Sequence, residues 1–231
     1  HFRDISGYTN PQESEHDVFI VGHTSTSVSL AAGLVKARDM QGQKFNVIAV
    51  IGDGSLSGGE AFEGLDNAGD FKSNFIVIVN DNEMSIAENY GGLYGNLAEL
   101  RASNGQSENN YFKSLGFDYR YVADGNDTEA LIAALEEVKD ITRPVVIHVH
   151  TLKGKGYALA EQNKERFHWS LPFNIQTGEL TVSGAKGYGA YVAEYLDEQA
   201  AHNDKLAVIN AGTPGALALQ GFRAKYPEKY F

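Results

Sequence analysis

The chain contains no cysteine, and this absence excludes several kinds of site at once. Disulfide bonds, thiolate nucleophiles, and zinc or iron–sulfur sites built on cysteine all require that residue. The sequence also lacks the roughly 18 consecutive apolar residues of a membrane-spanning helix, and it shows no basic-then-apolar leader. We therefore expect a cytoplasmic protein with no membrane partner.

Basic residues are also scarce relative to acidic ones. The 231 residues include 19 Lys and Arg against 30 Asp and Glu, a formal net charge of −11, with no block of like charge. A nucleic-acid surface is therefore not expected, and any anionic ligand must be held by local groups. Apolar side chains make up 42% of the chain, enough to build a folded core.

Short apolar runs alternate with segments of helical periodicity along most of the chain. The runs are too uniformly apolar for half-exposed strands and are typical of strands buried on both faces of a parallel sheet. The pattern predicts an α/β fold, a mostly parallel sheet with helices on both faces. Strands are predicted at 18–21, 47–51, 75–79, 119–122 and 145–149. The principal helices are predicted around 28–35, 61–68, 93–101 and 131–138, with an N-cap among Thr24, Ser25 and Thr26 for the first.

Periodicity is lost between residues 162 and 184, which predicts a linker. We assign 1–161 to one α/β domain and 185–231 to the beginning of a second α/β domain. A strand at 206–209 and a helix at 216–226 are predicted in the second domain. The chain starts at His1 without an initiator Met, and we interpret it as a truncated fragment.

Polar residues follow three of the predicted strands at the point where each ends. Gly22-His23-Thr24 follows the first, Gly52-Asp53-Gly54 the second and Asn80-Asp81-Asn82 the third. Because the carboxyl ends of parallel strands share one sheet edge, Asp53 and Asn82 should lie side by side. Carboxylate and carboxamide oxygens suit Mg²⁺, and free N–H groups after a strand suit a diphosphate. A Rossmann dinucleotide site is not indicated, because Ser57 stands where its third glycine would fall.

Four ordered motifs resemble the 1-deoxy-D-xylulose-5-phosphate synthase family of transketolase-like, thiamin-diphosphate-dependent enzymes. They are Gly22-His23-Thr24-Ser25-Thr26-Ser27, Val50-Ile51-Gly52-Asp53-Gly54, Asn80-Asp81-Asn82-Glu83-Met84-Ser85-Ile86 and Lys153-Gly154-Lys155-Gly156-Tyr157. The resemblance implies a transferase that condenses pyruvate with D-glyceraldehyde 3-phosphate in isoprenoid-precursor, thiamin and pyridoxal synthesis. It also implies thiamin diphosphate and Mg²⁺ as cofactors and a homodimer. By the same resemblance, 1–161 would be the diphosphate- and Mg²⁺-binding domain, and 185–231 would begin the pyrimidine-binding domain.

The resemblance also implies roles for individual residues. The Mg²⁺ ligands would be Asp53, Asn82 and the main-chain oxygen of Met84. The catalytic candidates are His168 and His23. The residues that would touch the cofactor are Gly22, His23, Thr24, Gly54, Ser55, Asn82 and Tyr157.

Departures from the family pattern leave other functions open. The segment between Asn89 and Leu115 is short, and Asn126 stands where many members have His, so a related ketol-transferring enzyme with another acceptor is one alternative. The family's glutamate for cofactor activation is expected beyond Phe231. We therefore expect this fragment alone to be inactive, and a non-catalytic cofactor-binding subunit is a further alternative.

Two pairs of residues outside these motifs have simpler interpretations. His148 and His150 share one face of a predicted strand, but no third ligand is near in sequence, so we interpret them as a structural pair rather than a metal site. Lys153 and Lys155 could meet a phosphate, but lysines in a glycine-rich loop are more often solvated.

Overall fold

A computed structural model describes residues 6–182 and 186–231 and divides the chain into two compact units. The first unit comprises His1–Glu83 and Tyr90–Leu152, and the second comprises Met84–Asn89 and Lys153–Phe231. The linker at 162–184 stays a prediction, and its last two residues, 183 and 184, lie outside the described residues.

The first unit is built on a parallel sheet. Its strands are β1 (Ile48–Gly52), β2 (Phe75–Asp81), β3 (Asp118–Val122) and β4 (Pro144–His150). They lie in the order β1-β2-β4-β3, and every neighbouring pair is parallel. The predicted α/β class and parallel sheet are therefore confirmed.

Helices connect the strands of the first unit. They are α1 (Ser27–Met40), α2 (Asp53–Leu56), α3 (Gly59–Ala68), α4 (Gly92–Ala102), α5 (Tyr111–Ser114) and α6 (Thr128–Val138). The predicted apolar face of α1 is buried, as is that of α3. The predicted N-cap is only partly right: Thr26 occupies the position, but its hydroxyl donates to the His23 carbonyl rather than accepting from the helix.

Apolar side chains pack on both faces of the sheet. Val77 and Val79 point into a core shared with α1, α3 and α4, whereas Ile76 belongs to a second core beneath α6. The expectation of two buried faces is confirmed for β2 and wrong for β1, where Ile48 and Val50 are 47% and 59% exposed. β1 is one of the two edge strands, and the helices of the first unit cover its face that bears Ala49 and Ile51.

The strand predicted at 18–21 does not form. The Thr9 hydroxyl donates to the Phe19 carbonyl at 2.7 Å and accepts from the Val21 N–H at 3.3 Å, so a side chain satisfies backbone groups that a strand would pair. Ile20 is 73% exposed. Apolar character alone does not make a strand when no neighbouring strand is available.

The second unit contains helices joined by irregular segments. It contains α7 (Ala158–Gln162), α8 (Tyr188–Ala200), α9 (Gln220–Lys225) and two 3₁₀ turns, Pro214–Leu217 and Pro227–Lys229. The strand predicted at 206–209 is reduced to one parallel bridge between Val208 and Tyr230. The helix predicted at 216–226 is interrupted at Ala218, whose φ of 53° lies in the left-handed region. Among the described residues, no helix is both long and apolar enough to cross a membrane.

Candidate metal and diphosphate site

Asp53 and Asn82 follow neighbouring strands of the sheet, as the sequence predicts. The register pairs Gly52 of β1 with Asn80 of β2, so both chains leave the sheet at the same edge. The Asn82 backbone N–H hydrogen-bonds to the Asp53 carboxylate. The fold therefore brings the two candidate ligands into direct contact.

Asp53 is 1% exposed, although it begins a helix at the edge of the sheet. Burial, and after it the charge of the neighbouring Asp81 carboxylate, raise the pKa of Asp53 to about 6, against the lowering effect of backbone hydrogen bonds from Gly54 and Asn82. A cation beside Asp53 would stabilise its ionised form, which burial and the like charge of Asp81 both disfavour. Oxygen donors of this kind are what Mg²⁺ takes.

The loop that precedes α1 lies against α2. The Thr24 hydroxyl donates to the Ser55 hydroxyl at 2.6 Å, and the Ser25 hydroxyl donates to the Ser55 carbonyl at 2.7 Å. Ser25 has a φ of 71°, a conformation that non-glycine residues adopt rarely. His23, Thr24 and Ser55 line a depression of about 130 Å³ at this place. Beside it, a Cβ at Gly22 would lie 3.2 Å from the Tyr8 ring.

Asp81 directly precedes the predicted ligand Asn82, and the sequence patterns assign it no role. Its Oδ2 accepts from His148 Nε2 at 2.8 Å and from Arg101, and its Oδ1 accepts from the Glu83 N–H at 3.0 Å. Burial pushes the pKa of Asp81 upward, but the hydrogen bonds and charges of His148 and Arg101 outweigh it and hold the pKa below its ordinary value. Asp81 is therefore an ionised carboxylate inside the sheet edge.

His148 links Asp81 to the far strand of the sheet. Because a carboxylate only accepts hydrogen bonds, Nε2–H donates to Asp81, and Nδ1 hydrogen-bonds with the Tyr119 hydroxyl at 2.7 Å. Burial raises the pKa of Tyr119, so this hydroxyl keeps its proton. His150 Nε2 contacts Glu83 separately, at 3.1 Å. The two histidines thus interact with acidic residues of one neighbouring segment.

Met84, Tyr157 and His168 belong to the second unit. Met84 forms a bridge with Glu88, and Lys153 Nζ donates to the Ser85 carbonyl of the same loop. Lys153 is therefore not merely solvated, in contrast to Lys155, which is exposed.

Tyr157 and His168 have separate surroundings within that unit. The Tyr157 hydroxyl donates to the Ile175 carbonyl at 3.0 Å, and its ring packs against Phe167 and Phe173. Burial lowers the pKa of His168, and the charge of Lys153 lowers it further.

No group of three or more His, Cys, Asp or Glu side chains suited to a metal occurs within 6–182 and 186–231. The predicted ligand set contains a single carboxylate together with an amide and a main-chain oxygen. It therefore differs from a site built on three or more such side chains. The metal assignment therefore rests on the contact between Asp53 and Asn82 and on their oxygen donors.

A sequence model of the family described as 1-deoxy-D-xylulose-5-phosphate synthase matches residues 1–110 and 98–151. The chain belongs to this family. The synthase of Caldanaerobacter subterraneus subsp. tengcongensis is 39% identical over 266 aligned positions, which cover 100% of this chain and 43% of that protein. The synthase of Pelotomaculum thermopropionicum is 38% identical, with 100% and 42% covered.

The chain thus spans less than half the length of these 1-deoxy-D-xylulose-5-phosphate synthases. Because 266 aligned positions cover a chain of 231 residues, the relative carries residues in this region that the chain lacks. Among solved structures, the transketolase of Campylobacter jejuni is similar over 62% of this chain and 22% of its own, with 24% identity and a TM-score of 0.47. The α/β assignment rests on the sheet itself.

Proposed function

We propose that this chain takes part in the condensation of pyruvate with D-glyceraldehyde 3-phosphate to 1-deoxy-D-xylulose 5-phosphate and CO₂. The contact between Asp53 and Asn82 at adjacent strand ends carries this proposal, because it sets oxygen donors for a cation at a sheet edge in a chain of this family. The cofactors would be thiamin diphosphate and Mg²⁺. When bound, thiamin diphosphate supplies an electron sink for the chemistry of pyruvate.

Different residues of the chain would bind Mg²⁺ and the diphosphate. Asp53, the Asn82 side-chain oxygen and the Met84 main-chain oxygen would ligate Mg²⁺. The residues assigned to the diphosphate side are Gly22, His23, Thr24, Gly54 and Ser55. The hydroxyl contacts of Thr24 and Ser25 with Ser55 support that assignment, because they hold the loop before α1 against α2.

Tyr157 and His168, together with His23, would act on the organic part of the cofactor or on the substrate. We assign Tyr157 to the cofactor side and His23 and His168 to proton handling near the reacting centre. The lowered pKa of His168 supports its assignment, since a neutral imidazole can accept a proton at neutral pH. The protein would act as a cytoplasmic homodimer in isoprenoid-precursor, thiamin and pyridoxal synthesis.

A different acceptor is the second candidate function. The relatives carry residues in the aligned region that this chain lacks, and the sequence places the shortening between Asn89 and Leu115. Asn126 also replaces the family's His, and its side-chain oxygen accepts from the Leu152 N–H at 2.8 Å. Assaying the full-length protein with pyruvate and a panel of phosphorylated and unphosphorylated aldehydes would distinguish the two candidates.

The cofactor proposal is tested by Asp53→Ala, with Asp70→Ala as the control. Asp70 is an exposed residue whose contact with Lys72 is 3.8 Å long. Calorimetric titration of Mg²⁺ in saturating thiamin diphosphate should show binding to the native chain and to Asp70→Ala, and a loss of about 10-fold or more in Asp53→Ala. Undiminished affinity in Asp53→Ala would contradict the ligand assignment.

A further inference from the structure

We propose that Asp81 is a positioning residue, which fixes the turn that holds Asn82 beside Asp53. The inference rests on the proposed function, because it concerns the site assigned to Mg²⁺. Asp81 is fully buried at the end of β2, directly before Asn82. Its carboxylate is not among the predicted ligands, yet it receives hydrogen bonds from three different parts of the first unit.

The first of these hydrogen bonds shapes the turn itself. Asp81 Oδ1 accepts from the Glu83 N–H at 3.0 Å, so the side chain spans the peptide groups on both sides of Asn82. Glu83 has a φ of 68°, which a residue with a side chain adopts only when its surroundings hold it there. The carboxylate therefore stabilises the conformation that turns the chain after Asn82.

The other two hydrogen bonds hold the carboxylate from two different elements of the first unit. Arg101 reaches Asp81 Oδ2 from α4 and also contacts Glu83 at 3.4 Å, so one guanidinium holds both ends of the turn. His148 reaches the same oxygen from β4. With His148 fully buried and the Arg101 side chain 16% exposed, little water is available to replace either partner.

The support extends across the sheet to β3. The Tyr119 hydroxyl holds His148 Nδ1 at 2.7 Å, and this fixes the ring so that Nε2–H faces Asp81. A chain of hydrogen bonds therefore links Tyr119 of β3, His148 of β4 and Asp81 of β2. The end of β2 lies beside the end of β1, which Asp53 follows. Residues that do not bind the metal but form hydrogen bonds around its ligands orient those ligands, and their loss typically costs about 10–100-fold in metal affinity.

The test compares Asp81→Asn with the native chain, using Mg²⁺ and Ca²⁺ as separate probes in saturating thiamin diphosphate. Mg²⁺ demands near-ideal octahedral geometry, whereas Ca²⁺ accepts irregular and variable geometry. A misplaced Asn82 should therefore lower the Mg²⁺ affinity by about 10-fold or more and the Ca²⁺ affinity by clearly less. Equal losses for both cations would show a general structural role only and would overturn the proposal, as would native affinity for both.

Two further comparisons keep the result interpretable if Asp81→Asn folds poorly. Arg101→Lys keeps the positive charge but cannot hold Asp81 and Glu83 together. It should therefore also lower the Mg²⁺ affinity more than the Ca²⁺ affinity. Its control, Arg120→Lys, alters an exposed pair with Glu137 and should bind both cations as the native chain does.

A measurement on the metal-free native chain addresses the turn directly. Amide hydrogen exchange by NMR should show a protected Glu83 N–H, and the NMR signals of the His148 ring should show a proton on Nε2. Rapid exchange of the Glu83 amide would overturn the proposal. A native chain that binds neither cation would overturn both this proposal and the proposed function. Native binding of Mg²⁺ with unchanged variants would overturn only the positioning role.

Discussion

The pKa of His168 depends on a charged residue elsewhere in the second unit. His168 lies on an irregular segment of the second unit, where partial burial and the charge of Lys153 both lower the pKa of its ring. Lys153 also donates to the Ser85 carbonyl, so its charge is held in place rather than averaged over solvent. A general base near neutral pH needs an imidazole of this kind, unprotonated before the proton transfer.

We therefore expect Lys153→Gln to raise the pKa of His168. The native ring should titrate below 6.5, the ordinary value, and removing the neighbouring positive charge should make protonation easier. NMR titration of the His168 ring protons measures this, with assignment from His168→Asn. Lys155→Gln serves as the control, since Lys155 is an exposed lysine of the same glycine-rich loop. An unchanged midpoint in Lys153→Gln would contradict the electrostatic account.

Glycines show how the elements of the first unit are constrained by contacts between them. Gly33 lies on the exposed side of α1, where an added Cβ would meet nothing within 4 Å. Gly69 ends α3, and a Cβ there would lie 1.8 Å from the Leu115 carbonyl oxygen. The same substitution should therefore have opposite effects at these two positions.

Gly33→Ala should raise the free energy of unfolding by about 0.5–1 kcal/mol, because alanine loses less backbone entropy in a helix. Gly69→Ala should lower it by about 1–3 kcal/mol, because backbone atoms must move to admit the methyl group. Urea unfolding followed by circular dichroism gives both values. Equal effects of the two substitutions would show that the close approach of Gly69 to Leu115 is not maintained in solution.

The whole chain contains two compact units whose segments interrupt one another in sequence. Met84–Asn89 belongs to the second unit although residues on both sides of it belong to the first. The domain boundary predicted at 162–184 rests on the loss of sequence periodicity there and not on this division into units. Within that range, the described residues form turns and one bridge between Phe173 and Leu180, and Trp169 is 75% exposed.

We expect limited proteolysis by a protease of broad specificity to cut first within 162–184. Irregular exposed backbone enters a protease without breaking a ladder of strand hydrogen bonds, whereas β1 and β2 must first leave the sheet. Mass spectrometry of the first fragments would locate the cut. Early cleavage inside 48–52 or 75–81 would contradict the proposed boundary.

The sequence by itself determined the α/β class and the side-by-side arrangement of Asp53 and Asn82. Both follow from local patterns: apolar runs with helical segments between them, and polar residues at the carboxyl ends of successive strands. Only the tertiary structure decided that β1 lies at the sheet edge and that the apolar run at 18–21 forms no strand. Strand order and pairing depend on distant partners, which no local pattern specifies.

The support of Asp81 likewise depended on the tertiary structure. His148, Arg101 and Tyr119 come from two other strands and a helix, and their side chains converge only after the sheet has formed. In the sequence, His148 is a polar residue in an apolar strand, and Arg101 ends a helix in a region of weak pattern. A buried polar residue signals that a partner exists, but the identity of that partner is set by the strand order.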